Sequence, residues 1–94
     1  MKDWVISYDV GVRRAKVRRK LVRLLEAFGA RVQYSVFEVT LSEAEEAHLL
    51  AAVQELLDLK QDRFAMYPLT PTAREATIYL GDTRPYVVEP FVVL

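Results

Sequence analysis

The chain has 94 residues, 52% hydrophobic and 28% charged, which suits one globular domain and excludes a disordered chain. It has no cysteine, which excludes disulfides and thiolate metal sites, and we see neither a signal peptide nor a bilayer-spanning apolar run, so we expect a cytoplasmic protein. The formal net charge is zero, but seven of the thirteen basic residues lie between Arg13 and Arg23, and such a local excess can bind phosphate groups.

The first part of the chain predicts a strand, a helix and a second strand. Residues 4–10 are rich in aromatic and β-branched side chains, which favours a strand, and Gly11 marks the turn that follows. Residues 13–28 predict a helix, because apolar side chains recur there at helical spacing. Its apolar face consists of Val17, Leu21, Leu24 and Phe28. Gly29 is expected to end this helix with a positive φ, and residues 31–41 predict the second strand.

The second part predicts another helix and two more strands. Ser42 and Glu45 form a capping box, so the second helix is expected to begin there. Its apolar stripe consists of Leu49, Leu50, Val53, Leu56 and Leu57. Residues 62–69 predict the third strand and residues 77–80 the fourth, and the loop 70–76 between them is expected to be mobile.

These elements predict one α+β domain over residues 1–94. We interpret the order as β-α-β-β-α-β with a tail strand, the ferredoxin-like arrangement, in which both helices cover one face of a four-stranded antiparallel sheet. Both sheet faces carry apolar side chains, so we expect a two-fold homodimer that packs sheet against sheet. The alternative is a tail, residues 82–94, that folds back over its own sheet. Residues 91–94 are expected to form a short edge strand.

The first predicted helix is crowded with basic residues. Like charges at helical spacing repel each other, and a polyanion relieves that repulsion. We favour nucleic acid over a membrane surface, because the helix has no wide apolar face to insert. A plainly solvated charged face is the alternative. The expected phosphate contacts are Arg13, Arg14, Lys16, Arg18 and Arg19, with Arg14, Lys16 and Arg18 nearest to the end of the first strand.

Two further places could carry chemistry. Asp9 ends the first strand, and its carboxylate is a hard oxygen ligand suited to magnesium or manganese. Spacing alone favours the alternative that Asp9 caps the helix. Alternation along the second strand places four side chains on one face: Arg31, Gln33, Ser35 and Phe37. The alternative is that Ser35 and Phe37 only fill a core or an interface.

The run Tyr8-Asp9-Val10, the basic helix and the heptapeptide Arg31–Phe37 together resemble the CRISPR-associated Cas2 family. The resemblance implies that Asp9 is the metal ligand and that a homodimer holds magnesium, or manganese, between its two copies. It also implies that the C-terminal strand crosses to the partner's sheet. The residues that it implies near the reaction are Asp9, Arg18, Arg31, Ser35 and Phe37.

The resemblance implies two functions. In one, the protein is a metal-dependent endonuclease acting on single-stranded RNA or double-stranded DNA. In the other, the dimer is an adaptor for spacer acquisition that bridges two dimers of the Cas1 integrase and holds duplex DNA. We expect any cleavage to be slow, because each chain supplies one acidic ligand and no evident general base. A VapD-like toxin ribonuclease and a ligand-binding regulatory domain of the same topology are the remaining alternatives; the basic helix argues against the last.

Overall fold

The computed structural model describes residues 1–81. The strands are β1 (Lys2–Asp9), β2 (Gly29–Gln33), β3 (Val36–Leu41) and β4 (Arg63–Pro68), and the helices are α1 (Ala15–Glu26), α2 (Glu43–Leu56) and α3 (Pro71–Ala76). All strand pairs are antiparallel in the order β2-β3-β1-β4. The chain order β-α-β-β-α-β, followed by α3, confirms the predicted ferredoxin-like fold. The predicted elements differ from this order, because they give one strand over residues 31–41 and a further strand over residues 77–80. Within residues 1–81, no helix has the length and apolarity needed to cross a bilayer.

The core lies between the sheet and the first two helices. Ile6 of β1 and Phe37 of β3 are fully buried at the centre of the sheet. They join a cluster with Leu21 and Leu25 of α1 and Leu49 of α2, so both helices pack on the same face. The predicted apolar stripe of α1 contacts this cluster, although α1 is two residues shorter at each end than predicted.

The start of α2 confirms the predicted capping box. The Ser42 hydroxyl accepts a hydrogen bond from the Glu45 backbone N–H at 3.1 Å, and the Glu45 carboxylate accepts one from the Ser42 N–H at 2.9 Å. Two backbone donors that the helix leaves without partners are therefore satisfied. An N-cap of this kind stabilises a helix by about 1 kcal/mol.

The prediction of a single strand over residues 31–41 is wrong, because this segment is a hairpin. β2 and β3 meet at a turn at Tyr34 and Ser35. Arg31 pairs with Phe37, but the register then shifts and Gln33 pairs with Val36. Since neighbours along β3 point to opposite faces, Arg31 and Gln33 lie on opposite faces and do not share one as predicted.

Gly29 does not have the predicted role. It opens β2 instead of closing α1, and its φ is not positive. A Cβ atom at this position would lie 1.9 Å from the carbonyl oxygen of Glu38 on β3. Glycine is therefore required here because two backbones approach closely, not because the chain turns.

Residues 70–80 also differ from their prediction. The expected loop contains α3, which Thr70 caps by accepting a hydrogen bond from the Ala73 N–H at 3.1 Å. Pro71 occupies the first turn of α3, where its missing N–H costs nothing. Residues 77–80 form no strand. The predicted edge strand 91–94 and the rest of the tail lie outside the described residues.

The sheet face opposite α1 and α2, called the open face below, is mixed and not largely apolar as predicted. Arg74 of α3 makes ion pairs across it with Asp3 and Glu38, each at 3.1 Å. The Tyr79 hydroxyl donates a hydrogen bond to the same Glu38 carboxylate. Residues 70–79 therefore anchor on one end of the open face. At the other end lie Ser7, Asp9 and Ala65.

Candidate nucleic-acid interface and metal centre

A cleft opens where β1 ends, between α1 and the β2–β3 hairpin. Asp9, Arg18, Arg31 and Ser35 line it, so the structure brings together four of the five residues predicted near the reaction. Arg18, Arg19, Arg23 and Arg31 supply four positive charges to the lining, and Asp9 and Glu26 supply two negative charges. The described lining therefore has an excess of positive charge, which suits a polyanion.

Strand alternation decides how Asp9 is presented. Tyr8 faces the core and is 5% exposed, whereas Asp9 is exposed on the open face. Across the strand pair, Asp9 lies opposite Arg63 of β4. The carboxylate therefore stands at the rim of the sheet, accessible both from the cleft and from the open face.

Phe37, the fifth residue predicted near the reaction, lies beneath the cleft. Its side chain is fully buried, and the Arg31 guanidinium carbon lies 5.6 Å from the centre of its ring. The centres of the Tyr8 and Phe37 rings are 6.2 Å apart. A cation over an aromatic face is stabilised by about 1 kcal/mol. Phe37 therefore orients Arg31 and is not exposed to a substrate.

Arg18 has a structural contact as well as a place in the lining. Its Nη1 donates to the carbonyl oxygens of Val10 and Gly11, at 3.4 and 3.3 Å. These bonds tie α1 to the turn that follows Asp9. Arg18 is half-buried, so part of its guanidinium still faces the cleft.

Arg14 has a buried partner that local patterns do not reveal. Its Nη2 lies 3.0 Å from an oxygen of Asp62, whose side chain is fully buried. Asp62 also accepts hydrogen bonds from the backbone N–H groups of Gly11 and Asp58, at 3.3 and 2.9 Å. Arg14 therefore has a structural role, whereas Arg13 and Lys16 are exposed and have no ion-pair partner within residues 1–81.

The hairpin turn is held by Tyr8. Its backbone N–H donates to the Ser35 carbonyl at 3.1 Å, and its hydroxyl donates to the Tyr34 carbonyl at 3.4 Å. Burial raises the pKa of the Tyr8 phenol, and the nearby Arg31 charge partly opposes this. Tyr8 is therefore neutral at physiological pH and remains a hydrogen-bond donor.

The described residues contain no group of three or more His, Asp or Glu side chains that could hold a metal ion. Asp9 supplies one carboxylate at the exposed rim. Magnesium keeps several waters and needs only one or two protein carboxylates. The donor set therefore fits magnesium where a second copy brings its own Asp9 to the same place.

Arg23 and Tyr34 are suited to bind a ligand in the cleft but are not among the predicted site residues. Arg23 continues the row of Arg19 by one helical turn, a spacing visible in the sequence. Tyr34 lines the cleft from the turn and is 78% exposed. The sequence predicts a single strand over residues 31–41, and within such a strand nothing marks Tyr34 as an exposed turn residue.

Comparison with known proteins gives a consistent result. The family model for CRISPR associated protein Cas2 matches residues 1–77. A Synechocystis protein named CRISPR-associated endoribonuclease Cas2 2 is 41% identical, with 100% of both chains covered. A Thermus thermophilus protein named CRISPR-associated endoribonuclease Cas2 is 40% identical over 82% of this chain and 80% of its own.

Solved structures agree with this match. Cas2 of Streptococcus pyogenes superposes with a TM-score of 0.76 at 28% identity, covering 84% of this chain and 99% of that one. A chain of a partial Cas6-RT-Cas1–Cas2 complex superposes with a TM-score of 0.73 at 29% identity, covering 96% and 95%. The second structure contains a Cas2 relative within an assembly that also includes Cas1.

Proposed function

Because the chain belongs to the CRISPR-associated Cas2 family, we propose that it is the nucleic-acid-binding subunit of spacer acquisition and acts as a homodimer that bridges Cas1 integrase dimers. The observation that carries this proposal is the cleft at the end of β1, whose lining contains Asp9 and four arginines. The complex in which a similar chain occurs with Cas1 supports the choice of partner.

The exposed bases of α1, together with Arg13 just before it, supply the attraction. Arg14 pairs with Asp62 and Arg18 bonds to backbone carbonyls, so neither is fully available to a ligand. The available bases are exposed: Arg13, Lys16, Arg19, Lys20 and Arg23. Each phosphate that they neutralise releases counterions, which makes binding depend steeply on salt and little on base sequence.

The open face supports the homodimer. Apolar or small side chains lie on it between the Arg74 ion pairs and Asp9: Val5, Ser7, Val36, Ala65 and Tyr67. A 94-residue chain has a thin core, and pairing two open faces adds buried apolar area to it.

Sedimentation velocity tests the homodimer. We expect the mass of two copies for the wild type and for a loop control, Lys60→Glu. Ala65→Glu places the same negative charge on the open face of both copies and is expected to give single copies. A wild type that sediments as one copy would remove the homodimer from the proposal.

The position of Asp9 at the rim of the open face supports magnesium binding by two copies of this residue. When bound, magnesium supplies a Lewis acid and lowers the pKa of a water molecule. The chain's own residues would then bind and orient the phosphodiester. Arg31 is held over Phe37 and faces the cleft, so it is placed to stabilise negative charge on the phosphate.

Endonuclease activity is a second candidate function, favoured by the exposed Asp9 carboxylate in the cleft and by the endoribonuclease names of the relatives. Asp9→Asn separates it from the adaptor function. Hydrolysis of single-stranded RNA in magnesium is expected to disappear, while nucleic-acid binding and spacer acquisition persist. Glu26→Gln, which changes the other carboxylate of the cleft, is the matched control and is expected to keep all three activities.

The opposite pattern would contradict this assignment. Hydrolysis that survives in Asp9→Asn would exclude Asp9 as the metal ligand of a nuclease. Loss of spacer acquisition in Asp9→Asn would show that the adaptor function also depends on this carboxylate.

A further inference from the structure

A large aromatic side chain stands exposed beside the positive charges of the cleft. Tyr34 is 78% exposed at the turn of the β2–β3 hairpin. Turns usually carry small or polar residues, and an exposed aromatic ring gains nothing from the core. Tyr34 shares the cleft lining with Arg31 and with the α1 arginines Arg18 and Arg19.

The backbone that carries this ring is fixed from below. The Tyr34 carbonyl accepts a hydrogen bond from the buried Tyr8 hydroxyl at 3.4 Å, and the next carbonyl, of Ser35, accepts one from the Tyr8 N–H at 3.1 Å. The ring is therefore presented from an anchored turn. An aromatic side chain has only two torsions to immobilise, so stacking on it costs little conformational entropy.

We propose that Tyr34 stacks on an unpaired nucleobase while Arg31 and the α1 arginines contact the adjoining phosphates, which gives the cleft a preference for single-stranded segments. The inference rests on the proposed nucleic-acid-binding function and adds a residue that selects strandedness. Bases in a duplex already stack on each other, so their faces are unavailable to a protein ring. A flipped or single-stranded base offers both faces, and aromatic side chains next to cations are the usual platform for it.

The charge of the cleft favours nucleic acid over an apolar partner. The described lining includes four arginines and two carboxylates beside apolar residues such as Val12 and Val22, and an apolar peptide would leave those charges desolvated without partners. A single strand suits both the arginines and the Tyr34 ring, because its phosphates form ion pairs with the arginines and its bases stack on the ring.

Fluorescence anisotropy with three labelled probes tests the inference on the full chain. The probes are a single-stranded oligothymidylate, the same strand with abasic sites throughout, and a blunt duplex of equal length. The proteins are the wild type, Tyr34→Ala and Tyr34→Phe. Because the Tyr34 side chain is exposed, its loss is not expected to disturb the fold.

Tyr34→Ala is expected to raise the Kd for the oligothymidylate by roughly 5- to 100-fold, the range for loss of one base–aromatic stack. The Kd values for the abasic strand and for the duplex are expected to stay within about twofold, because the abasic strand has no bases and the duplex has no unpaired base. Tyr34→Phe keeps the ring and is expected to match the wild type. Sedimentation velocity is expected to give the same mass for all three proteins.

Three results would overturn the inference, and they are distinguishable. If the wild type binds none of the probes at low salt, the proposed function fails and the inference fails with it. If the wild type binds but Tyr34→Ala loses nothing, or loses affinity equally for all probes, only the stacking role fails. If Tyr34→Ala changes the sedimenting mass, Tyr34 belongs to an interface between copies and not to a base platform.

Discussion

The most distinctive energetic prediction concerns two adjacent arginines that look equivalent in the sequence. Arg14 pairs with the buried Asp62, whereas Arg13 is exposed. Arg14 is the N-cap residue of α1, but its side chain makes no capping hydrogen bond, so alanine removes the ion pair and no cap. We therefore expect Arg14→Ala to destabilise the fold and Arg13→Ala to leave it almost unchanged.

The magnitude follows from the burial of the pair. The two side chains approach to 3.0 Å, and their exposed fractions are 23% for Arg14 and 0% for Asp62. Removing one partner of a fully buried pair costs about 3–5 kcal/mol, and one hydrogen bond to a charged group contributes about 1.5–3 kcal/mol. Asp62 keeps two backbone hydrogen-bond donors, and the Arg14 side of the pair is open to water. We therefore expect Arg14→Ala to lower the free energy of unfolding by about 3 kcal/mol. That loss lowers Tm by roughly 12–24 °C in a domain of this size.

Urea unfolding followed by circular dichroism measures this difference at matched protein concentrations, because association would stabilise the folded state by mass action. Arg13→Ala is the matched control and is expected to stay within about 0.5 kcal/mol of the wild type. Equal transition midpoints for Arg14→Ala and Arg13→Ala would refute the structural role of the Arg14–Asp62 pair.

Three more predictions follow from single contacts. Gly29→Ala is expected to lower the free energy of unfolding by about 3 kcal/mol or more, because the new Cβ would lie 1.9 Å from a backbone oxygen. Urea unfolding measures this loss, and Gly11→Ala, whose Cβ would lie 3.5 Å from its nearest neighbour, is the tolerated control. Phe37→Ala is expected to lower the free energy of unfolding by about 4 kcal/mol, since the ring is fully buried. A decrease below about 1 kcal/mol would contradict the place of Phe37 in the core. Burial and the hydrogen bond to Glu38 raise the pKa of Tyr79 to about 12, so the stability from this contact is complete below about pH 10 and is lost as pH rises through 12. Ultraviolet titration is expected to show that the Tyr79 ionisation moves to lower pH in Glu38→Gln, and an unchanged titration in that variant would refute the contact.

Helices are the part of this fold that local patterns predict best. The apolar spacing from Val17 to Phe28 identifies the buried face of α1, because that face contacts the core along its length. Ser42 and Glu45 locate the start of α2, since a capping box acts through neighbouring residues only. Local interactions decide both features, and tertiary context does not override them.

The hairpin could not be predicted in the same way. Residues 31–41 contain no glycine, proline, asparagine or aspartate, and Ser35 alone is too weak a signal to indicate a turn. The turn at Tyr34 and Ser35 is instead held by hydrogen bonds from Tyr8, which lies on another strand. The sequence pattern therefore predicts one continuous strand across Tyr34 and Ser35, where the chain in fact reverses its direction.

The candidate site shows the same division. Asp9, Arg31 and Ser35 lie in one cleft, as their family pattern suggested, although their roles stay predictions. The sequence pattern predicts Arg14 as a phosphate contact, because its partner Asp62 lies far away in the chain and local spacing does not reveal the pair. Charge counts along a sequence cannot distinguish a base that faces solvent from one that neutralises a buried acid.

The most direct test of the proposed function is the salt dependence of nucleic-acid binding by a variant that lacks only the exposed bases. We choose Arg13, Lys16, Arg19 and Lys20 for replacement by alanine, since none of them has a partner within residues 1–81. The slope of log K against log salt is expected to become shallower by about 0.9 for each duplex phosphate that the variant no longer neutralises, while Lys60→Ala keeps the wild-type slope. Equal affinity and an equal slope for the fourfold variant and the wild type would contradict the proposal that this helix binds nucleic acid.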